Sequence, residues 1–260
     1  MRVSAVLCAV MVGIGASTAV AQEPLPPSAF GALGMYPKRL SCADLPVFGA
    51  PRPVHRLAAA QEGDAKLRRA FAPPDTLMLP GGTSVGLQTG QQYFVRRLLP
   101  SPNHEKPSAT KPGMVHTAGW ITIIGADGFS ALARIDYACD HFLKNDYLEP
   151  FTASQMPTAV AAPGAPQFTD MGRLLFGNDG RRSFANGDLI VVDKGSSHGL
   201  TAGARLSVFR DPKNGGPLVP VGHAIVLTVT GDTATVIADR VRDALTAGDW
   251  VGLDGPAPRP

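Results

Sequence analysis

Arg181-Arg182-Ser183-Phe184-Ala185-Asn186-Gly187-Asp188 restates Arg68-Arg69-Ala70-Phe71-Ala72-Pro73-Pro74-Asp75. The correspondence runs on without a gap. Gly195-Ser196-Ser197-His198-Gly199-Leu200-Thr201-Ala202-Gly203 answers Gly82-Thr83-Ser84-Val85-Gly86-Leu87-Gln88-Thr89-Gly90, and Val208-Phe209-Arg210 closes against Val95-Arg96-Arg97. Twelve of the thirty aligned positions are identical. Self-similarity at a fixed offset is the mark of a duplicated structural unit. Residues kept in both copies are therefore read first as scaffold.

Each copy follows one plan: strand, glycine turn, strand. Residues 76–79 and 189–192 are short apolar runs, and alternating strands are expected at 92–96 and 205–209. Between them lie Gly82, Gly86 and Gly90 in one copy and Gly195, Gly199 and Gly203 in the other. These are expected turn positions, where glycine takes positive φ at no steric cost. Further on, 119–124 matches 222–227, 130–135 matches 233–238, and Asp146-Tyr147-Leu148 matches Asp249-Trp250-Val251. The offset falls from 113 to 103, so the first copy carries ten extra residues, within a Pro-, Ser- and Lys-rich insert at 99–113. Such an insert at a hairpin tip costs little loop entropy. Five or six short strands per copy, with no helical period beyond a short helix expected at 58–69, predict an all-β fold. Two tandem small antiparallel barrels would protect the sheet edges.

Around the copies the chain divides as follows: signal peptide 1–21, proline-rich arm 22–55, first β repeat 56–151, linker 152–170, second β repeat 171–254 and tail 255–260. Arg2, the apolar run 3–14 and Ala19-Val20-Ala21 have the layout of a secretory signal cleaved after Ala21. Val6-Leu7 before Cys8 lack the small residue of a lipoprotein signal, and no later run is long enough to span a bilayer. A periplasmic or secreted protein with no transmembrane segment in the mature chain is expected. Proline at 24, 26, 27, 37, 46, 51 and 53 predicts an irregular arm. The composition, 44% hydrophobic and 17% charged, is that of a globular chain. The net charge of +3, or +2 without Arg2, argues against a nucleic-acid partner. The arginine pairs at 68–69, 96–97 and 181–182 read as solvated strand ends. Cys42 and Cys139 are the cysteines left after cleavage, and in an oxidising compartment they are expected to form a disulfide. Residue 242, the counterpart of Cys139, is arginine, so the bond is expected to tie the arm to the first copy alone.

One pattern is recognisable in the second copy. It comprises Gly187-Asp188-Leu189-Ile190-Val191-Val192-Asp193-Lys194-Gly195, Gly199-Leu200-x-x-Gly203, Val208-Phe209-Arg210, Val221-Gly222, Ala234-Thr235-Val236 and Gly248-Asp249-Trp250-Val251. It resembles the C-terminal SH3-like barrel of flagellar assembly protein T, and is similar to domains that follow LysM modules in bacterial envelope proteins. The resemblance covers 68–151 and 171–254 and extends neither to a LysM module nor to the rest of the flagellar protein. It implies an envelope-associated, non-catalytic β module; a flagellar role does not transfer.

Candidate chemistry is sparse. Gly82-Thr83-Ser84-Val85-Gly86 is a G-x-S-x-G, recurring as Gly195-Ser196-Ser197-His198-Gly199. A nucleophile elbow needs a helix after the serine, whereas Leu87-Gln88-Thr89-Gly90 is another turn, so both serines are assigned to turn chemistry. Cys139, Asp140 and His141, with His116 on a neighbouring strand, could suggest a metal, but a disulfide through Cys139 excludes it there. Asp75, Asp136, Asp140 and Asp146 recur as Asp188, Asp239, Asp243 and Asp249, and read as turn acids satisfying backbone donors. His198 and His223 read as surface and packing residues, Trp120 and Trp250 as core aromatics. No catalytic residue, metal or cofactor is expected. The function expected is a non-enzymatic binding or assembly module whose partner is an envelope protein or cell-wall component. The alternatives are an exported hydrolase using a serine or carboxylate site, and a peptidoglycan or polysaccharide binder.

Overall fold

A computed structural model describes residues 28–49, 52–53, 55–61, 68–99, 108 and 113–255. The expected signal segment, most of the 99–113 insert and the end of the tail lie outside the described residues. The fold is mostly β. The arm contributes α1 (Ser28–Ala32), α2 (Pro37–Ser41) and β1 (Leu45–Val47). The first half contains β2 (Ala59–Ala60), β3 (Ala70–Phe71), β4 (Thr76–Pro80), β5 (Gln92–Leu99), β6 (Gly113–Ala126), β7 (Ser130–Ala138), β8 (Phe142–Leu143) and β9 (Tyr147–Pro150). The second contains β10 (Gly172–Gly177), β11 (Ser183–Phe184), β12 (Leu189–Val192), β13 (Arg205–Arg210), β14 (Val219–Val229), β15 (Ala234–Asp239), β16 (Leu245–Thr246) and β17 (Trp250–Leu253).

The second half is a closed antiparallel barrel in the order β10-β12-β15-β14-β13-β17, with β10 and β17 paired through Gly172↔Val251 and Arg173↔Trp250. The first half has the equivalent order β2-β4-β7-β6-β5-β9, to which β1 adds by pairing with the N-terminal part of β6. Among the described residues, the gap between β2 and β9 is crossed by the bridge Arg56↔Tyr147 and flanking bonds such as Leu57 N–H to Asp146 O at 2.9 Å. Registers of the β4/β7 and β5/β6 pairs agree with those of β12/β15 and β13/β14. Thr76 faces Arg134 as Leu189 faces Ile237, and Gln92 faces Thr122 as Arg205 faces Ile225. These pairs reproduce both sequence offsets.

The glycine turns hold this geometry for two different reasons. Gly86 and Gly199 follow short 3-10 turns at φ of 88° and 79°, in the left-handed region expected of them. Gly82 and Gly195 instead press against the facing hairpin: a Cβ would stand 2.0 Å from Asp127 O and 2.3 Å from Thr230 O respectively. Gly195 is extended, at φ −136°, so close approach and not positive φ accounts for it.

Two cores result, one in the first-half sheet and one in the second-half barrel. One contains Leu57, Phe71, Leu77, Leu79, Ile121, Ile123 and Phe142, the other Leu174, Phe184, Ile190, Val192, Leu206, Val236 and Leu245. A third cluster lies outside the second barrel, where Phe30, Met35, Leu40 and Ala43 of the arm, with Val160 of the linker, cover Leu189, Ile225, Leu227 and Ile237. Arg39 adds a hydrogen bond to Gly187 O at 2.8 Å.

The arm corrects the expectation of an irregular segment, and its expected disulfide is present. It holds two short helices and a strand, Pro37 being tolerated because the first helical turn has no intrahelical use for its N–H. It also binds both halves: Cys42 is disulfide-bonded to Cys139 in the first, with Cα atoms 5.7 Å apart, while the arm's apolar side chains pack on the second. The linker is likewise laid down on the barrel, through Ala161 N–H to Gly203 O and Gln167 N–H to Leu253 O. The helix expected at 58–69 is not formed at its described ends: β2 occupies 59–60 and pairs with β4, and 68–69 lead without helix into β3. Among the described residues no helix is long and apolar enough to cross a membrane.

Candidate functional site

Two features set the halves apart. The larger is a groove of about 580 Å³ between β1, Pro53 and His55, and β9, where the aligned position of the second half has a pocket of about 100 Å³ lined by Leu206, Val251 and Leu253. Its walls are mostly apolar or aromatic, among them Val47, Pro53, Tyr93, Tyr147 and Pro150, with His55 and Glu149 as polar points. Burial pushes the Tyr147 phenol up to about 12, with the Glu149 charge adding to it. It also lowers the His55 pKa. His55 Nδ1 is buried with no hydrogen-bond partner.

The second feature is a polar cleft at the seam of arm, first half and second half, lined by Cys42, His116, Cys139, Asp140, Asn178 and Asp179. His116 stands on β6, in the stretch flanked on one side by β1 and on the other by β5, which leaves its side chain only 7% exposed. Its Nδ1 lies 2.9 Å from Asp44 Oδ1 and 3.4 Å from Asp179 Oδ1, and its Nε2 lies 3.2 Å from Asp140 Oδ2. Asp44, just after the disulfide cysteine, is buried and accepts the Asp179 N–H on Oδ2 at 2.7 Å. Its own N–H donates to Asn178 Oδ1. Burial opposes the charged imidazolium of His116, but the Asp44 hydrogen bond and three surrounding carboxylates outweigh it and raise its pKa. Asp140 shifts down: burial acts against this, yet the His141 hydrogen bonds and the charges of His116 and Arg97 prevail.

Of the residues singled out in the sequence, the structure brings Cys42 to Cys139, and Asp140 to both His116 and His141. Among the described residues, neither turn serine meets an oriented base. Ser84 Oγ is exposed and donates to Gly81 O. Ser197 Oγ donates to Gly231 O; His198 Nδ1 at 3.2 Å and Asp232 at 3.3 Å both approach the serine, so no carboxylate orients the histidine as a base. The recurring acids have structural partners. Asp75 and Asp188 each accept a backbone N–H three residues before them, and Asp146 and Asp249 each accept one in the same way while binding Arg97 and Arg210 bidentately.

Arg96 and Arg97 are not solvated strand ends. Arg96 is buried over the Phe94 ring beside Glu149, and Arg97 is held by Asp146. Trp120 is buried and stacked on Tyr137, whereas Trp250 is half-buried under the Arg173 guanidinium. Sequence reasoning named His116 but missed Asp44 and Asp179. The available signal was a lone histidine in the apolar run Met114-Val115-His116, where the second copy has Val219.

No protein-family model matches the chain, and no curated protein matches it either.

Proposed function

We propose that the chain is an exported, non-enzymatic binding or assembly protein of the bacterial envelope, built from two tandem SH3-like β units, with the first unit presenting the binding site. The observation that carries this reading is the enlargement of the apolar groove in the first half, about 580 Å³ against about 100 Å³ at the aligned position of the second, while the residues that set the fold recur in both. An elongated groove beside a sheet edge, walled by proline and aromatic side chains, suits an extended peptide segment of a partner. The Cys42–Cys139 disulfide is in keeping with an oxidising compartment. Turn serines without an oriented base speak against the hydrolase alternative.

The test is in-cell photocrosslinking from a benzoylphenylalanine placed at Val47, in the groove, against one at the fully exposed Phe129. One envelope protein captured from position 47 alone supports the reading. Capture of glycan would replace it with the polysaccharide-binding alternative. Labelling by a serine-reactive probe that vanishes in Ser84→Ala or Ser197→Ala would replace it with a hydrolase.

A further inference from the structure

The seam cluster contains a mismatch of valence. An imidazole Nδ1 can direct one N–H at one acceptor, yet two carboxylate oxygens from separate parts of the chain converge on it, at 2.9 and 3.4 Å. Asp44, His116 and Asp179 place one ligand atom each within 4.8 Å of the others. We infer that Asp44, His116 and Asp179 form a binding site for one divalent transition-metal cation of the zinc or manganese type, joining the arm and both halves.

Bond lengths agree with this. For metal–ligand distances of about 2.0–2.2 Å, ligand atoms 2.9 and 3.4 Å apart subtend roughly 80–115° at the metal, within the range of tetrahedral and octahedral sites.

A second, independent observation is the other ring nitrogen. His116 Nε2 is buried and lacks an aligned hydrogen-bond partner, although Asp140 Oδ2 lies 3.2 Å away across the cleft. A histidine that ligates through one nitrogen must carry its proton on the other, and a carboxylate normally receives that proton and fixes the ring. Asp140 is thus the positioning residue, and a small rotation completes the bond.

The donor set selects the metal class. Two carboxylates and an imidazole suit zinc or manganese. The neighbouring cysteines are locked in the disulfide and supply no thiolate, which disfavours copper(I). The remaining coordination positions face the cleft and are open to water.

The cluster differs from the grouping the sequence suggested. Cys139 is excluded by its bond, and His141 is exposed against Asp140. Each ligand comes from a different element: Asp44 from the arm, His116 from β6, and Asp179 from the turn after β10. None is duplicated as a ligand, since Asp44 precedes the copies and His116 corresponds to Val219.

The test titrates Zn²⁺ and Mn²⁺ into the disulfide-intact chain from Gln22, tag removed, by calorimetry and by competition with a chromogenic chelator. One equivalent should bind. His116→Gln should abolish binding, Asp179→Asn should weaken it at least tenfold, and Asp140→Asn should weaken it about tenfold. Asp179 is exposed, so its variant keeps the fold, checked by an unchanged circular dichroism spectrum. X-ray absorption of the zinc form should show one imidazole and oxygen ligands, without sulfur. Absence of stoichiometric binding, equal affinity in Asp179→Asn and the parent, or a sulfur ligand overturns the assignment.

Discussion

Thr76, Thr122, Ile124 and Arg134 occupy the same register positions in the first half as Leu189, Ile225, Leu227 and Ile237 in the second. These positions lie on the outer face of each sheet. In the first half Ile124 is 46% exposed and Arg134 meets solvent; in the second all four are buried beneath arm and linker. A strand covered on both faces needs a continuous apolar run, which is why 189–192 reads Leu-Ile-Val-Val while 76–79 alternates in burial. The two halves share an inner core and differ outside. One has become the platform on which the chain packs its own N-terminal segment. The other keeps the groove, the insert and the buried histidine.

That comparison makes the arm the coupling element, and the largest expected effect follows from releasing it. The Cys42→Ser/Cys139→Ser double variant frees a link spanning 97 residues. In the chain-entropy model the loss is about 4–5 kcal/mol. If the arm couples the halves, urea denaturation should shift both transitions, with Trp250 fluorescence in a Trp120→Phe background reporting the second. A shift confined to the first half would mean that Phe30, Met35 and Leu40 hold the second-half cover unaided.

The next effect should be equal in both halves. Asp146 and Asp249 are each nearly inaccessible, each bind an arginine through both oxygens, and each accept the backbone N–H three residues earlier. Their carboxylates raise the pKa of Arg97 and Arg210. Removing one partner of such a pair costs about 3–5 kcal/mol when fully buried. The arginines here are 22% and 29% exposed, which reduces the expectation for Asp146→Ala or Asp249→Ala to roughly 2–3 kcal/mol. Urea midpoints would check it. Costs differing by more than about 1 kcal/mol would show that the shared geometry no longer does the same work in each half.

These pairs mark what was legible in the sequence and what was not. The paired offsets of 113 and 103 translate directly into strand register, because the two-residue side-chain period and the glycine turns leave little freedom for slippage. The Arg97–Asp146 and Arg210–Asp249 couples were visible as recurring residues, but their partnership is a tertiary fact linking β5 with the turn before β9, and β13 with the turn before β17. The arm was misread because proline content describes local conformation, while its destination depends on apolar positions more than a hundred residues away. Leu189, Ile225 and Ile237, apolar where the first copy has Thr76, Thr122 and Arg134, carried that signal. The seam cluster was hidden for the opposite reason. Duplication draws attention to what recurs, and His116 with Asp44 is unique to one half.

Tyr147 and Trp250 are aligned residues that separate the halves by pH. Burial holds the Tyr147 phenol at about 12, above the ordinary value near 10. A group whose pKa is raised on folding contributes stability fully present below its unfolded value, and that contribution fades as pH climbs through the folded one. The loss should fall between about pH 10 and 12 and reach on the order of 2 kcal/mol, since the side chain is nearly inaccessible. Tyr36, Tyr93, Tyr137 and Tyr147 all precede the linker, so phenolate absorbance reports only the arm and first half. Tyr147→Phe should remove this alkaline loss from denaturation curves taken at pH 9 to 12, with Trp250 fluorescence following the same points in the second half. An equal loss surviving in the variant would assign the alkaline weakness to other groups, Tyr93 and Tyr137 with their raised pKa values among them, and Tyr147 would then cease to distinguish the groove-bearing half from its closed counterpart.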